Sequence, residues 1–326
     1  MPSTLLTCAN TGARPASPAL GDTLYQEDTN QIIVCSNATG PVWKTYEANG
    51  ELAYPSGIYT AGTPYVITTQ PDMHYDGSRI NGADASGNPA IGGAISSWED
   101  RSGNGRDADQ AVGADQGSFV RMGGNNGIRM PASTSLGFYD TNHAFASGSD
   151  GMTIIAAITP ANSHYFAGVV AATKTGNTAP AIFADAGINL STSAQAKIAD
   201  LIHGYRDSSY ATLSRQGPRI ITVLDGDGDQ KLFEGTQVGF AGTVARTQAD
   251  IDDALAGDWF LGEGYQHFGA TAANGGGGIY YEVLIFRGLL GYTVDGSGDL
   301  NGGEMNTVVN YLANKYGIPA NHPYEP

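Results

Sequence analysis

The apolar residues of this chain come in short runs separated by glycine-rich connections, and that pattern constrains the fold more than any other feature. Met152-Thr153-Ile154-Ile155-Ala156-Ala157-Ile158-Thr159, Phe166 to Ala172, Arg219 to Leu224 and Ile279 to Arg287 have the length and the β-branched, aromatic content of buried strands. Glycine fills 46 of 326 positions, about twice its usual share, and provides the tight connections between such runs. Non-local pairing of many short strands predicts an all-β chain of two sheets packed face to face. At this length the chain can hold one large sandwich plus a small unit.

Composition divides the chain. Residues 1–50 form a Pro/Gly-punctuated unit, with strand candidates Thr23-Leu24-Tyr25 and Gln31-Ile32-Ile33-Val34-Cys35 around the turn-rich 26–30 segment, closed by Trp43. A hairpin of that size buries little and needs a partner surface or copies of itself. Residues 51–70, carrying Pro55, Gly57, Gly62 and Pro64, read as an extended linker, and residues 71–326 as the sandwich. Two helices interrupt the β pattern. Thr247 and Asp250 suit an N-terminal cap for Ala249 to Ala256. The last helix carries Met305, Val308, Val309 and Leu312 at helical spacing, Lys315 in its final turn, Gly317 as a left-handed stop and Pro319 beyond. It reads as a lid on the sandwich.

The formal charge of −16 and the lack of a Lys/Arg cluster argue against nucleic acid and against anionic membrane surfaces. The opening segment has neither a basic stretch nor an apolar core, so no secretory leader is expected, and no apolar run is long enough for membrane insertion. Cys8 and Cys35 read as small buried residues in preference to a disulfide, with their redox state left open.

Two resemblances follow from particular residues. Met73-His74-Tyr75-Asp76, then Trp98-Glu99-Asp100-Arg101-Ser102-Gly103-Asn104-Gly105-Arg106-Asp107, resemble the opening of the concanavalin-A-like (laminin-G-like) jelly rolls, which show a W-x-D-x-S-G-N-G signature there. Gly278 to Phe286, then Glu304 and Tyr311-Leu312-Ala313-Asn314-Lys315-Tyr316-Gly317-Ile318, resemble the closing strand and helix of the same family. This brackets residues 73–318 and implies the fold, while the family serves lectins, hydrolases and adhesive modules alike. Gly12 to Tyr25, with Arg14, Pro15, Pro18, Gly21 and Tyr25, followed by Asp28-Thr29-Asn30 and Trp43, resemble a short module of tailed-phage fibre, head-fibre and decoration proteins. That resemblance implies an anchor or assembly role for those residues and a virion protein assembled in the host cytoplasm. Its partners would be the phage capsid or other virion proteins, in a homo-oligomer expected to be a trimer.

The hydrolases of the jelly-roll family carry E-x-D-x-E or E-x-D-x-x-E on one strand, and this chain has neither. Glu282 stands alone, with Tyr280 and Leu284 at its alternating positions, and reads as a strand residue satisfied by a neighbouring donor. No G-x-S-x-G, H-E-x-x-H, C-x-x-C or Walker-A segment is present, and the six histidines lack ligand spacing. No enzyme activity is therefore expected. Gly103-x-Gly105-x-x-Ala108 follows a polar segment and reads as a turn. Calcium has three weak candidate loops. Asp225 to Asp229 reads as a hairpin turn, Asp100, Asn104 and Asp107 as a glycine turn, and Asp295, Asp299 and Asn301 lack the twelfth-position acid because Asn306 stands there. The alternative roles are host attachment through surface glycans or a tail-fibre component, with Trp98 and Tyr265 as stacking candidates beside Trp259, Tyr280 and Tyr281; Trp98 before a turn and Trp259 opening an apolar run read first as core.

Overall fold

The computed structural model describes residues 65–81, 87–132, 139–141, 149–160, 218–226, 229–242, 259–261 and 276–320, together with strands at 6–8, 23–26, 31–37, 42–46, 52–53, 168–173, 180–188, 194–199 and 211–213. The chain is β-rich, and Gly303–Tyr316 is the one α-helix among the described residues. The helix expected over Ala249 to Ala256 lies outside them.

The N-terminal region forms a four-stranded sheet in the order Leu6–Cys8, Thr23–Gln26, Gln31–Asn37, Val42–Tyr46. The expected hairpin is its centre, with Tyr25 opposite Ile32, and the first pair runs parallel. Register decides the cysteine question. Cys8 lies beside Gln26, which faces Gln31, while Cys35 sits four residues further along and faces Trp43. Two strand spacings and four residues of rise put the two Cα atoms about 16 Å apart. Disulfides need Cα atoms within about 7 Å, well short of this backbone separation.

Among the described residues the body is built on two large sheets and a small one of Tyr292–Val294 and Leu300–Gly302. One has nine strands, ordered Gln237–Gly242, Asp229–Glu234, Arg219–Gly226, Gly151–Pro160, Gly276–Arg287, Asn125–Ala132, Gly117–Met122, Ala94–Ile95, with Met73–Asp76 also paired to Gly276–Arg287. The other has eight, from Ala211–Leu213 through Trp259–Leu261 to Ala108–Asp109 and Ser97–Trp98. The strand expected from Phe166 begins at Gly168. Asp225 to Asp229 forms the predicted hairpin, with Gly226 opposite Asp229.

Gly276–Arg287 organises the nine-stranded sheet. One edge pairs along its length with Gly151–Pro160, while the other edge is shared by Asn125–Ala132 and Met73–Asp76. Glycine is required where those two strands meet: a Cβ on Gly77 would stand 2.8 Å from Gly127 Cα, and one on Gly127 would stand 2.8 Å from Tyr280 O.

Both faces of this sheet are covered, which explains why its central strands are apolar almost throughout. Met73, Tyr75, Ile128, Ile154, Val223, Val283 and Ile285 meet Trp98, Ala108, Trp259 and Leu261 of the other sheet in one core. On the opposite face Ile155, Leu224, Phe233, Tyr281, Leu284 and Phe286 meet Met305, Val308, Val309 and Leu312 of the helix in a second. Burying each large aliphatic side chain contributes roughly 1.5–3 kcal/mol. The helix ends as expected, with Gly317 at φ 63° and its N–H bonded to Ala313 O.

The supposed linker ends early. Tyr65–Val66 pairs in parallel with Leu52–Ala53, Ile67 is buried in the helix-side core, and Tyr65 lies edge-on to Tyr311. Glu304, in the first turn of the helix, takes the N–H groups and hydroxyls of Thr68 and Thr69. Residues 65–70 therefore belong to the body, held by packing that the proline and glycine content of residues 55–64 before them masked.

Candidate functional site

The W-x-D-x-S-G-N-G segment is a loop built around one carboxylate. Asp100 Oδ1 accepts the His74 and Ser102 N–H groups, each at 2.9 Å, while Oδ2 accepts the Ser102 hydroxyl at 2.6 Å and the Arg106 N–H at 3.1 Å. Asn104 and Arg106 reach back to Asp72 O at 3.0 Å each, and Asp107 accepts the Asp100 N–H. Gly103 and Gly105, at φ 86° and 67°, turn the backbone through the left-handed region that this wrapping demands. The signature thus fastens the loop to Met73–Asp76 and leaves its side chains occupied by the protein itself.

Beside the loop, between the nine-stranded sheet and the helix, lies a buried ionic cluster. Met73 and Tyr75 face the inter-sheet core, so alternation turns His74 and Asp76 to the helix side. Asp76 pairs across the ladder with Glu282. A bulge opposite Ala157/Ile158 lets Tyr281 and Glu282 both meet the helix, and shifts Tyr280 into the other core. The expected same-face partnership of Glu282 with Tyr280 is therefore corrected, because the bulge breaks simple alternation.

Each carboxylate is saturated. Asp76 Oδ1 accepts the Ser78 N–H at 2.8 Å and hydroxyl at 2.7 Å; Oδ2 accepts Arg101 at 2.6 Å and Lys315 Nζ at 2.8 Å. Glu282 Oε1 meets His74 Nε2 at 2.6 Å and the Tyr311 hydroxyl at 2.8 Å; Oε2 accepts Lys315 Nζ and the Tyr316 hydroxyl, both at 2.7 Å. Lys315 spends its third proton on the Tyr311 hydroxyl at 3.0 Å and lies over the Tyr311 and Tyr316 rings. The cluster thus sets two carboxylates, Asp76 and Glu282, against two cations, Arg101 and Lys315.

Electrostatics follow the geometry. Burial alone would raise the Asp76 pKa, but Lys315 and Arg101 hold it far below the usual carboxylate range. Glu282 is also lowered: burial and Asp76 push it up, and Lys315 with the His74 hydrogen bond outweigh them. Burial pushes Lys315 down, yet Asp76 and Glu282 leave it raised. Tyr311 and Tyr316 are raised well above 10 by burial and by the two carboxylates. The reading of Glu282 as a satisfied strand residue holds; its donors come from His74 and from a helix about thirty residues away in sequence. Asp76, Arg101 and Lys315 were visible as signature residues, but the sequence did not join them. The detectable signal was polar His74 and Asp76 alternating with apolar Met73 and Tyr75 on a strand later covered on both faces.

The other predicted site residues do not converge here. Trp98 is fully buried, tilted against Tyr75 with ring centroids 5.5 Å apart, and its Nε1 donates to Asp76 O. It offers no surface to a sugar, and Trp259, Tyr280 and Tyr281 are buried as well. Tyr265 lies outside the described residues, as do Arg14, Pro15, Pro18 and Gly21. Tyr25 and Trp43 lie on Thr23–Gln26 and Val42–Tyr46 of the N-terminal sheet, with Gln31–Asn37 between the two strands. Asp295, Asp299 and Asn301 form a closed turn: Asp295 Oδ1 accepts the Ser297 and Asp299 N–H groups, Asp299 accepts the Val238 N–H, and Asn301 accepts the Thr293 hydroxyl. Among the described residues no three His, Cys, Asp or Glu side chains gather as metal ligands.

No protein-family model matches the chain, and no curated protein matches it. Solved structures do. An arabinofuranosidase complexed with arabinofuranosyl-α-1,2-xylobiose matches at 16% identity and TM-score 0.46, over 68% of this chain and 51% of that one. Trypanosoma rangeli sialidase with 2,3-difluorosialic acid matches at 12% and 0.49, over 89% and 44%. Domain 4 of AbnA, an extracellular arabinanase of Geobacillus stearothermophilus, matches at 15% and 0.38, over 76% of this chain and the whole of that domain. The chain thus spans about half the length of the two larger enzymes. The expectation of a non-enzyme is corrected, because glycoside hydrolases are what these similar structures are. A likeness this loose brings no substrate and no catalytic residue to the chain.

Proposed function

We propose that this chain is a structural protein of a bacteriophage virion, a capsid decoration, knob or head-fibre protein. Residues 1–50 attach it, and a concanavalin-A-like jelly roll projects outward. The carrying observation is the N-terminal sheet: its four strands lie within residues 6–46, and among the described residues none of them pairs with a strand of the body. A small sheet of this kind is marginal by itself and gains stability from a surface or from copies of itself. The body supports the reading in another way. Its two signatures, at 98–107 and 311–317, are spent on fastening loop, sheet and helix into one rigid unit suited to display.

In this reading the partners are the capsid or other virion proteins, the assembly is a homo-oligomer expected to be a trimer, and the site of assembly is the host cytoplasm. The test uses capsids assembled without this chain from the genome that encodes it, imaged by cryo-electron microscopy after adding either the full chain or residues 51–326. Regular decoration by the full chain alone supports the proposal. Equal decoration by residues 51–326 overturns the anchor, and no decoration by either overturns the virion role.

A further inference from the structure

The buried cluster holds the reactants of a bond-forming reaction. Lys315 Nζ lies 2.8 Å from Asp76 Oδ2 and 2.7 Å from Glu282 Oε2, with relative exposures of 9%, 1% and 0% for the three side chains. We propose that Lys315 and Asp76 condense into an intramolecular amide, with Glu282 carrying the proton, so that the C-terminal helix is covalently stapled to the strand Met73–Asp76. This inference stands on the cluster alone and does not depend on the virion reading.

The step balances without any co-reactant. The Lys315 ammonium passes one proton to Glu282 Oε2, and the freed amine attacks Cγ of Asp76. Charge developing on Oδ1 falls where the Ser78 N–H and hydroxyl already donate, at 2.8 and 2.7 Å. Oδ2 departs as water. It takes one proton back from Glu282 and a second from Nζ itself, leaving one hydrogen on the amide nitrogen. Two opposite charges disappear together, so the balance of the cluster is kept: Glu282 remains opposite Arg101.

Three features favour the reaction over a static ion pair. The reacting groups are fixed by four elements, which replaces an encounter in solution by a preset approach. Asp76 and Glu282 are buried and Lys315 is nearly so, which limits water, favours condensation and protects the product. Glu282 is kept in place by the Tyr311 and Tyr316 hydroxyls and by His74, so its Oε2 points at Nζ.

The test is intact-mass spectrometry of the full chain after denaturation. A mass about 18 Da below that of the sequence, one water lost, is expected, with a proteolytic fragment joining the segments around Asp76 and Lys315. The unmodified mass would overturn the proposal and leave an ion pair only. Asp76 precedes Gly77, and a succinimide there would lose the same water. Lys315→Arg separates the two: it restores the full mass if the amide is real, and persistence of the loss in that variant would overturn it. Glu282→Gln is expected to fold, by circular dichroism, and to show the full mass. A folded Glu282→Gln chain that still loses water with the linked fragment present would overturn the role given to Glu282.

Discussion

Asp100 is the residue on which the signature loop turns, and replacing it gives a graded and calculable effect. Its carboxylate accepts four hydrogen bonds, from the backbone of His74, Ser102 and Arg106 and from the Ser102 hydroxyl. His74 is 2% exposed and Ser102 fully buried, so water cannot easily replace the acceptor for those two N–H groups. A buried donor left without a partner costs about 1–3 kcal/mol. Two such donors, with Arg106 regaining a bond from water, place Asp100→Ala at a loss of roughly 3–4 kcal/mol. Asp100→Asn keeps Oδ1 for the two buried N–H groups, but sets an amide NH₂ against the Arg106 N–H, for a loss of roughly 1–2 kcal/mol. Urea denaturation, followed through the fluorescence of buried Trp98 and Trp259, measures both from the shift in midpoint at unchanged slope. A loss below about 1 kcal/mol for Asp100→Ala, or an Asn variant weaker than the Ala variant, would refute the keystone reading of this carboxylate.

Other perturbations test neighbouring parts of the argument. Lys315→Met leaves Asp76 and Glu282 facing each other and should cost at least about 3–5 kcal/mol, with the double variant Lys315→Met/Glu282→Gln less destabilised than the sum of the singles. In chains where the ion pair persists, stability should have a plateau bounded on both sides. Asp76 and Glu282, lowered in the folded state, contribute fully above their unfolded values of about 4 and lose that contribution as pH falls through their folded values. Lys315, Tyr311 and Tyr316, raised in the folded state, contribute fully below about 10 and lose it as pH climbs through theirs. A urea midpoint still rising between pH 6 and 9 would contradict this sign, at roughly constant ionic strength. Gly127→Ala drives a Cβ to 2.8 Å from Tyr280 O and 2.9 Å from the Ile279 side chain, and should cost about 1–3 kcal/mol in the same assay. Glu304→Gln should leave global stability within about 1 kcal/mol while speeding amide exchange at Thr68 and Thr69, since Glu304 is the partner of both.

Elements under local chemical control were legible in the order of residues alone. The apolar runs at 152–159, 219–224 and 279–287 became central strands because unbroken β-branched and aromatic stretches have few other homes. The last helix was legible down to its stop, since 3.6-residue spacing and a left-handed Gly317 are local properties. The hairpin at 225–229 was legible for the same reason. Everything that joins distant segments came instead from long-range packing. The bulge that moves Tyr280 to one core and Glu282 to the other depends on pairing with Gly151–Pro160 across more than a hundred residues. Trp98, a stacking candidate that the turn after it already favoured as core, is buried because its strand joins the eight-stranded sheet and packs against the nine-stranded one. Residues 65–70 looked like linker until Glu304 and Tyr311 claimed them. The ionic cluster draws on four segments between residues 74 and 316, and a charge reveals its partner only when the chain brings the two within a few ångströms.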